Sequence, residues 1–319
     1  MPMPVRILPS ATVAVLLALL AGTGQAQFQH TLPAARLGET AVQRWQFGFT
    51  FAAPAGPCRK ITASQSVPMD WPEQTVRIVD QRVSPGVDID YRVIEGAAKQ
   101  MVVNVASLAA GDTVEALVTF ECRRGYLLEP EHREQLALPS RTAALRRYLA
   151  PGPYVESSHR TIRALAAEIG KTGGTAWQRA EAIYDWVREN IRFVDNQGQE
   201  PADTLTTLQR RDGDCDEMSC LFIALCRASG IPARIVQVPG HVYAEFYLDR
   251  TEGTGCWIPC QLSGTRAFGQ MPEHRPVLQK GDNLSPPHGK RRKYLILPQH
   301  VTAESGAPTV QIVARRLDG

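Results

Sequence analysis

The sequence predicts an α+β fold, with a β-rich first half and a second half in which helices precede antiparallel strands. Two observations point to this. From about Ala41 to Arg123, short alternating segments recur at roughly ten-residue intervals between Gly, Pro and Asp turns, the pattern of an antiparallel sandwich of immunoglobulin type. From Ser157 onward, apolar residues fall at helical spacing as far as Ala228 and alternate thereafter, without the regular strand-helix repeat of a doubly wound sheet. The length, 319 residues, is enough for two ordinary domains, each with a core.

Taken in order, residues 1–26 stand apart. "MPMPVRILPSATVAVLLALLAGTGQAQ" carries one basic residue, Arg6, an apolar run from Ala11 to Ala21, and the small-x-small triplet Gly24-Gln25-Ala26. This resembles a secretory signal cleaved after Ala26, and because the run is short of the about 20 residues a bilayer span needs, an uncleaved anchor is the lesser alternative. The mature chain is therefore expected in the periplasm or outside the cell, with no stable membrane span. The formal net charge of +3 is far from the excess that a nucleic-acid partner demands.

An oxidising compartment permits disulfides, and the seven cysteines leave at least one thiol without an intrachain partner. Cys58 and Cys122 are natural partners in the first half. Cys215, Cys220, Cys226, Cys256 and Cys260 crowd the second, with no C-x-x-C pair or Cys/His spacing of a zinc site, so no structural metal is expected.

Residues 27–123 supply the sandwich strands "WQFGFTF", "TVRIVDQRV", "DIDYRVI", "QMVVNVASL" and "TVEALVTFEC". Trp71, in "MDWPEQ", reads as a packing and turn residue. Residues 124–156 are a Pro- and charge-rich linker, in which Pro130, Pro139, Pro151 and Pro153 forbid one continuous helix but leave room for a short one. Residues 157–319 form the second domain. "SSHRTIRALAAEIGKTGG" is an amphipathic helix opened by serines and closed at Gly170. "TAWQRAEAIYDWVRENIRF" begins with a capping box, Thr175 and Gln178. Asp203 caps the short helix "TLTTLQRR".

The next helix, Cys215 to about Ser229, has apolar residues on more than one face and should be nearly buried, with Gly230 and Pro232 ending it. "ARIVQV", "HVYAEFYL", "CWIPCQ", "KYLILP" and "TVQIVARRL" then alternate as strands. The basic cluster "GKRRKY" at 289–294 reads as a solvated face.

Cys215 occupies the first turn of its helix, where free backbone N–H groups and the positive end of the dipole favour a thiolate. Its own N–H is a candidate oxyanion donor. His241 opens the strand that follows and could meet the helix start, giving a thiol and an imidazole with the chemistry of acyl transfer. Cys220 and Cys226 lie deeper in the helix and read as core. Glu245 reads as a brace for the sheet or an arginine's partner, and Gln209, six residues before Cys215, as incidental. Asp214 and Asp216 flank the thiol, the first as a cap and the second as a first-turn charge.

Together "G-D-C-D", "ALCRASGIPARIV", "GHVYAEFYL" and "WIPC" resemble the transglutaminase-like superfamily over roughly residues 157 to 265. The resemblance implies a papain-related α+β core with a Cys-His-Asp triad, no cofactor, and a peptide or protein amide as substrate. On this chain it assigns Cys215 as nucleophile and His241 as general base and acid. The family's aspartate, four residues past the strand tryptophan, is here Gln261, counted from Trp257. A glutamine can orient an imidazole but cannot stabilise its charge. The expectation is an exported cysteine enzyme forming a thioester acyl-enzyme, a peptidase or amidase ahead of a crosslinker. The alternative is a scaffold that keeps the fold without the activity. Cys260, on the opposite strand face, is expected in the core.

Overall fold

The computed structural model describes residues 36–196, 198–250, 255–286 and 292–318. Residues 1–26, expected from the sequence to be an export signal, lie outside them, as do residues 289–291 of the basic cluster. The β-rich half comprises β1 (Leu37–Ala52), β2 (Cys58–Val67), β3 (Gln74–Val83), β4 (Val87–Ile94), β5 (Ala98–Leu108) and β6 (Thr113–Leu127). After the short helix α1 (Ala143–Arg146) come α2 (Arg160–Ile169), α3 (Ala176–Asn190), β7 (Arg192–Phe193), α4 (Thr204–Arg210), β8 (Asp212–Gly213) and α5 (Cys215–Ala228). Strands β9 (Ala233–Val238), β10 (His241–Asp249), β11 (Gly255–Gln261), β12 (Ala267–Phe268), β13 (Gln279–Lys280), β14 (His300–Thr302) and β15 (Thr309–Arg316) follow.

Two antiparallel sheets organise all of these strands except the parallel pair β7 and β8. One has the order β15-β1-β6-β3, the other β12-β11-β10-β9-β13-β5-β2-β14, with β4 also paired to β5. Alternation on β1 sends Phe47, Phe49 and Phe51 inward against Ile61, Met101, Val103, Val118 and Phe120 from both sheets. Each such buried side chain stabilises the fold by roughly 1.5–3 kcal/mol. Gly48 is required among these phenylalanines, because a Cβ there would stand 2.0 Å from the Ala116 carbonyl oxygen on β6.

The five strand segments expected before residue 123 all form, and a sixth, β2, joins them. In its sequence, CRKITASQSV, Gln65 falls among the inward residues Ile61, Ala63 and Val67, and Ser64 and Ser66 are buried on the opposite face. Gln65 is satisfied there by donating to the Gly48 carbonyl at 2.9 Å. Polar letters at buried positions hide a strand from any hydrophobic pattern.

A second core lies between the helices and the β9 to β12 end of the long sheet. Phe246 on β10 packs against Trp177, Phe222 and Phe268, with ring centroids 6.1, 6.2 and 5.3 Å away. Helix α5 is buried from Glu217 through Arg227, as its apolar pattern requires, and Gly230 closes it with φ at +78°. Among the described residues no helix is long and apolar enough to cross a membrane.

Several sequence expectations need correction. Helix α2 is capped by His159, whose ring nitrogen accepts from the Thr161 N–H, and not by a serine. Residues 124–127, read as linker, extend β6. The strand Thr309–Arg316, grouped by sequence with the second domain, pairs with β1 from Ala52 to Trp45, and β14 pairs with β2. Non-local pairing of this kind leaves no local signal. "KYLILP" is not a strand: Tyr294 bridges only Leu284, while the Gln279 side chain takes the place of a partner strand, donating to Leu295 O at 2.7 Å and accepting from Leu297 N at 3.0 Å. Cys58 and Cys122 are both buried free thiols, on strands that belong to different sheets.

Candidate active site

The start of α5 is locked by its own sequence. Asp214 Oδ1 accepts from the N–H groups of Asp216 and Glu217 at 2.9 and 3.1 Å, and Glu217 Oε2 accepts from Asp214 N at 2.8 Å, a reciprocal capping box. Glu217 Oε1 also accepts from Ala202 N at 2.8 Å, tying the preceding loop to the helix. In front of the cap, β8 pairs in parallel with β7, aligning Gly213 with Phe193. Cys215 is thereby fixed at the first helical position, half-buried against the helical core.

The thiol meets the start of β10. Its Sγ donates to Asp216 Oδ1 at 3.8 Å, and the backbone N–H of Val242, the residue after His241, lies on the side that favours the thiolate. His241 Nε2 and Gln261 Oε1 are 3.0 Å apart, which brings residues of the two neighbouring strands β10 and β11 together. The Gln261 amide nitrogen donates to Thr265 O at 3.5 Å, so the carboxamide oxygen faces the ring and the imidazole proton sits on Nε2. His241 Nδ1 forms no hydrogen bond among the described residues and keeps its lone pair. The three residues singled out in the sequence thus occupy one neighbourhood, although no hydrogen bond joins Sγ to the imidazole.

The electrostatics depart from expectation. The sequence suggests a thiolate, but burial, followed by the Asp216 carboxylate, pushes the Cys215 thiol up to about 12, against the opposing pull of the Val242 N–H. Asp216 is itself pushed up to about 6 by burial and by Asp214. Burial also lowers the His241 imidazole, and Arg275 adds to this. The pair is therefore a neutral thiol beside a neutral imidazole at pH 7. A helix start alone does not outweigh desolvation and two adjacent carboxylates.

The strand that carries His241 is anchored from below. Glu245 is fully buried and bridges Arg234 at 2.6 Å and Lys280 at 2.7 Å, while Lys280 reaches Glu73 at 2.7 Å. These two cations hold the Glu245 carboxyl below its ordinary range despite burial. The reading of Glu245 as a brace is correct. Cys220, Cys226 and Cys260 are wholly buried, as expected, and Gln209 is exposed on α4. Asp214, Cys215 and Asp216 each bring one possible ligand atom within 4.8 Å of the others. Asp214 Oδ1 is already occupied by the helix cap.

Sequence reasoning missed two α3 residues that contact the Gln261 region. Tyr184 Oη donates to Gln261 O at 2.9 Å, and Arg188 donates to Leu262 O at 2.9 Å and Gly264 O at 2.8 Å. Their i, i+4 spacing on one helix face is the only local sign of a shared target.

The site thus sets a thiol at the start of a buried helix against an antiparallel sheet that carries an imidazole and its amide partner. Residues 163–262 match the core model of the transglutaminase-like superfamily, and the chain carries a transglutaminase-like domain there. A crystal structure of a candidate cysteine protease from Cytophaga hutchinsonii overlays with a TM-score of 0.61 at 18% identity, covering 89% of this chain and 93% of that one. At that identity the likeness speaks to the fold. A structure described as a candidate protease from Parabacteroides distasonis gives a TM-score of 0.29 at 16% identity, over 73% of this chain and 48% of that one. The periplasmic domain of TgpA from Pseudomonas aeruginosa gives 0.33 at 14% identity, over 71% of this chain and 93% of that one. Neither of these looser overlaps carries an argument. No curated protein matches the chain in sequence.

Proposed function

We propose that the protein is an exported cysteine enzyme that cleaves amide bonds through a thioester, with Cys215 as nucleophile, His241 as general base and acid, and Gln261 as the group that orients the imidazole. Residues 27–123 with the returning strand Thr309–Arg316 are read as an immunoglobulin-type sandwich beside the catalytic part. The observation that carries the reading is the 3.0 Å contact between His241 Nε2 and Gln261 Oε1 on strands β10 and β11, with the Cys215 helix packed against β10.

Because thiol and imidazole are both neutral, the first step couples proton transfer to attack. The Sγ proton passes to His241 Nδ1 as the S–C bond forms, and the carbonyl π electrons move onto oxygen. The Cys215 N–H donates to that oxyanion. Collapse of the tetrahedral species expels the amine, which takes the proton from Nδ1. Water then attacks the thioester with the imidazole again as base, releasing the acid and restoring the thiol. Gln261 keeps the other ring proton on Nε2 throughout. It supplies less charge stabilisation than an aspartate would.

The test is labelling by a peptidyl vinyl sulfone followed by peptide mapping. Modification concentrated at Cys215 and abolished by His241→Ala supports the enzyme reading. Labelling of Cys215 no faster than free cysteine overturns it. A second reading, a binding protein without turnover, is favoured by the raised thiol and the missing carboxylate, and it requires that last outcome.

A further inference from the structure

Arg188 carries a positive charge without a carboxylate partner among the described residues, and its donors go instead to main-chain oxygens of one turn. Nη1 donates to Leu262 O at 2.9 Å and to Gln261 O at 3.3 Å, and Nη2 donates to Gly264 O at 2.8 Å. Beside it, Tyr184 Oη links Gln261 O at 2.9 Å to the Ala267 N–H at 3.0 Å, and the guanidinium lies 5.6 Å from the Tyr184 ring centroid. The turn held in this way presents Thr265 O to the Gln261 amide nitrogen. Gly264, at φ +74°, crosses that amide closely enough that a Cβ would stand 3.5 Å from it.

This grip has a consequence for the imidazole. A glutamine side chain has more rotatable bonds than an aspartate and no charge to draw the ring toward it, so its orientation has to come from what holds its two ends. If the turn relaxes, the carboxamide is free to rotate or flip, and an amide N–H facing the ring would move the imidazole proton to Nδ1. That proton would then block the lone pair that receives the thiol proton.

We infer that Arg188, acting through the 261–265 turn, is the positioning residue that fixes the Gln261 carboxamide and with it the Nε2–H form of His241. The planar fork of arginine reaches carbonyls on both sides of the turn, which the single ammonium of a lysine cannot do. The inference rests on the proposed role of His241 for its catalytic meaning, but not for its measurement.

The experiment uses the full chain labelled with ¹⁵N, with the His241 ring signals assigned by their loss in His241→Asn. Wild type is expected to show the Nε2–H tautomer alone, Arg188→Met a mixture of both tautomers, and Arg188→Lys an intermediate mixture. Alkylation of Cys215 by iodoacetamide at pH 7.5 should slow by about tenfold in Arg188→Met, the scale of a small misplacement of a reacting group. Thermal unfolding is recorded in parallel. A folded Arg188→Met protein that keeps His241 wholly as Nε2–H overturns the inference, whatever its melting temperature. If the Met variant does not fold, an Arg188→Lys protein with the wild-type tautomer does the same. Unchanged alkylation on His241→Ala would instead remove the catalytic pairing and leave the tautomer result standing.

Discussion

The Gln261 carboxamide oxygen stands 3.0 Å from His241 Nε2, on the side of the ring away from its free nitrogen. The contact gives the ring a direction without supplying a charge. Replacing Gln261 by Glu should raise the imidazole's affinity for a proton, because an opposite charge at that distance favours the charged ring. His241 should then titrate about one unit or more higher in NMR, reversing the lowering caused by burial. Gln261→Ala should leave the ring both unoriented and lowered. A His241 titration unmoved by Gln261→Glu would show that the contact does not exist in solution.

After burial, Asp216 is the largest influence on the neighbouring sulfur. With Sγ 3.8 Å from its Oδ1, the carboxylate opposes a second negative charge beside it. Asp216→Asn should therefore shift the alkylation-pH profile of Cys215 toward lower pH by about one unit. Its effect on stability has a definite sign. A carboxyl raised from 3.8 to about 6 in the folded state binds its proton more tightly there, so it adds stability as pH falls from above 6 toward 4. Unfolding midpoints in urea across that range should lose this component in Asp216→Asn.

Glu245 works in the opposite direction. Two cations hold its carboxyl below the ordinary 4.5, so its contribution is present above pH 4.5 and is lost as pH falls below it. Glu245→Gln leaves Arg234 buried without its partner and should cost about 3–5 kcal/mol in denaturant unfolding at pH 7. A loss under 1 kcal/mol would mean that water reaches the network.

The cap of α5 is separable from the chemistry. Asp214→Ala removes the acceptor for two backbone N–H groups and should cost about 1 kcal/mol, whereas Asp214→Asn keeps an oxygen there and should cost only a fraction of that. Paired chemical denaturation of the two variants checks this ordering.

Much of the local structure was legible in the sequence. The Thr175–Gln178 and Asp203 caps form as read, α5 is buried because its apolar residues circle the axis, and Cys260 faces the core by strand alternation. Cys215, His241 and Gln261 could be selected because the motifs fix which residues sit at a helix start and on adjacent strands. The return of Thr309–Arg316 to β1 was not legible, nor was β2 with its buried serines. Neither was the grip of Arg188 on a turn more than seventy residues away.

The amino-acid order alone determined element types, caps and the candidate trio, since propensity, periodicity and capping act within a few residues of the chain. Tertiary structure decided the charge state of the site. Whether a thiol at a helix start is ionised depends on how much water is removed and which carboxylates are brought near it. Those quantities come into being only when α5, β10 and β11 pack together.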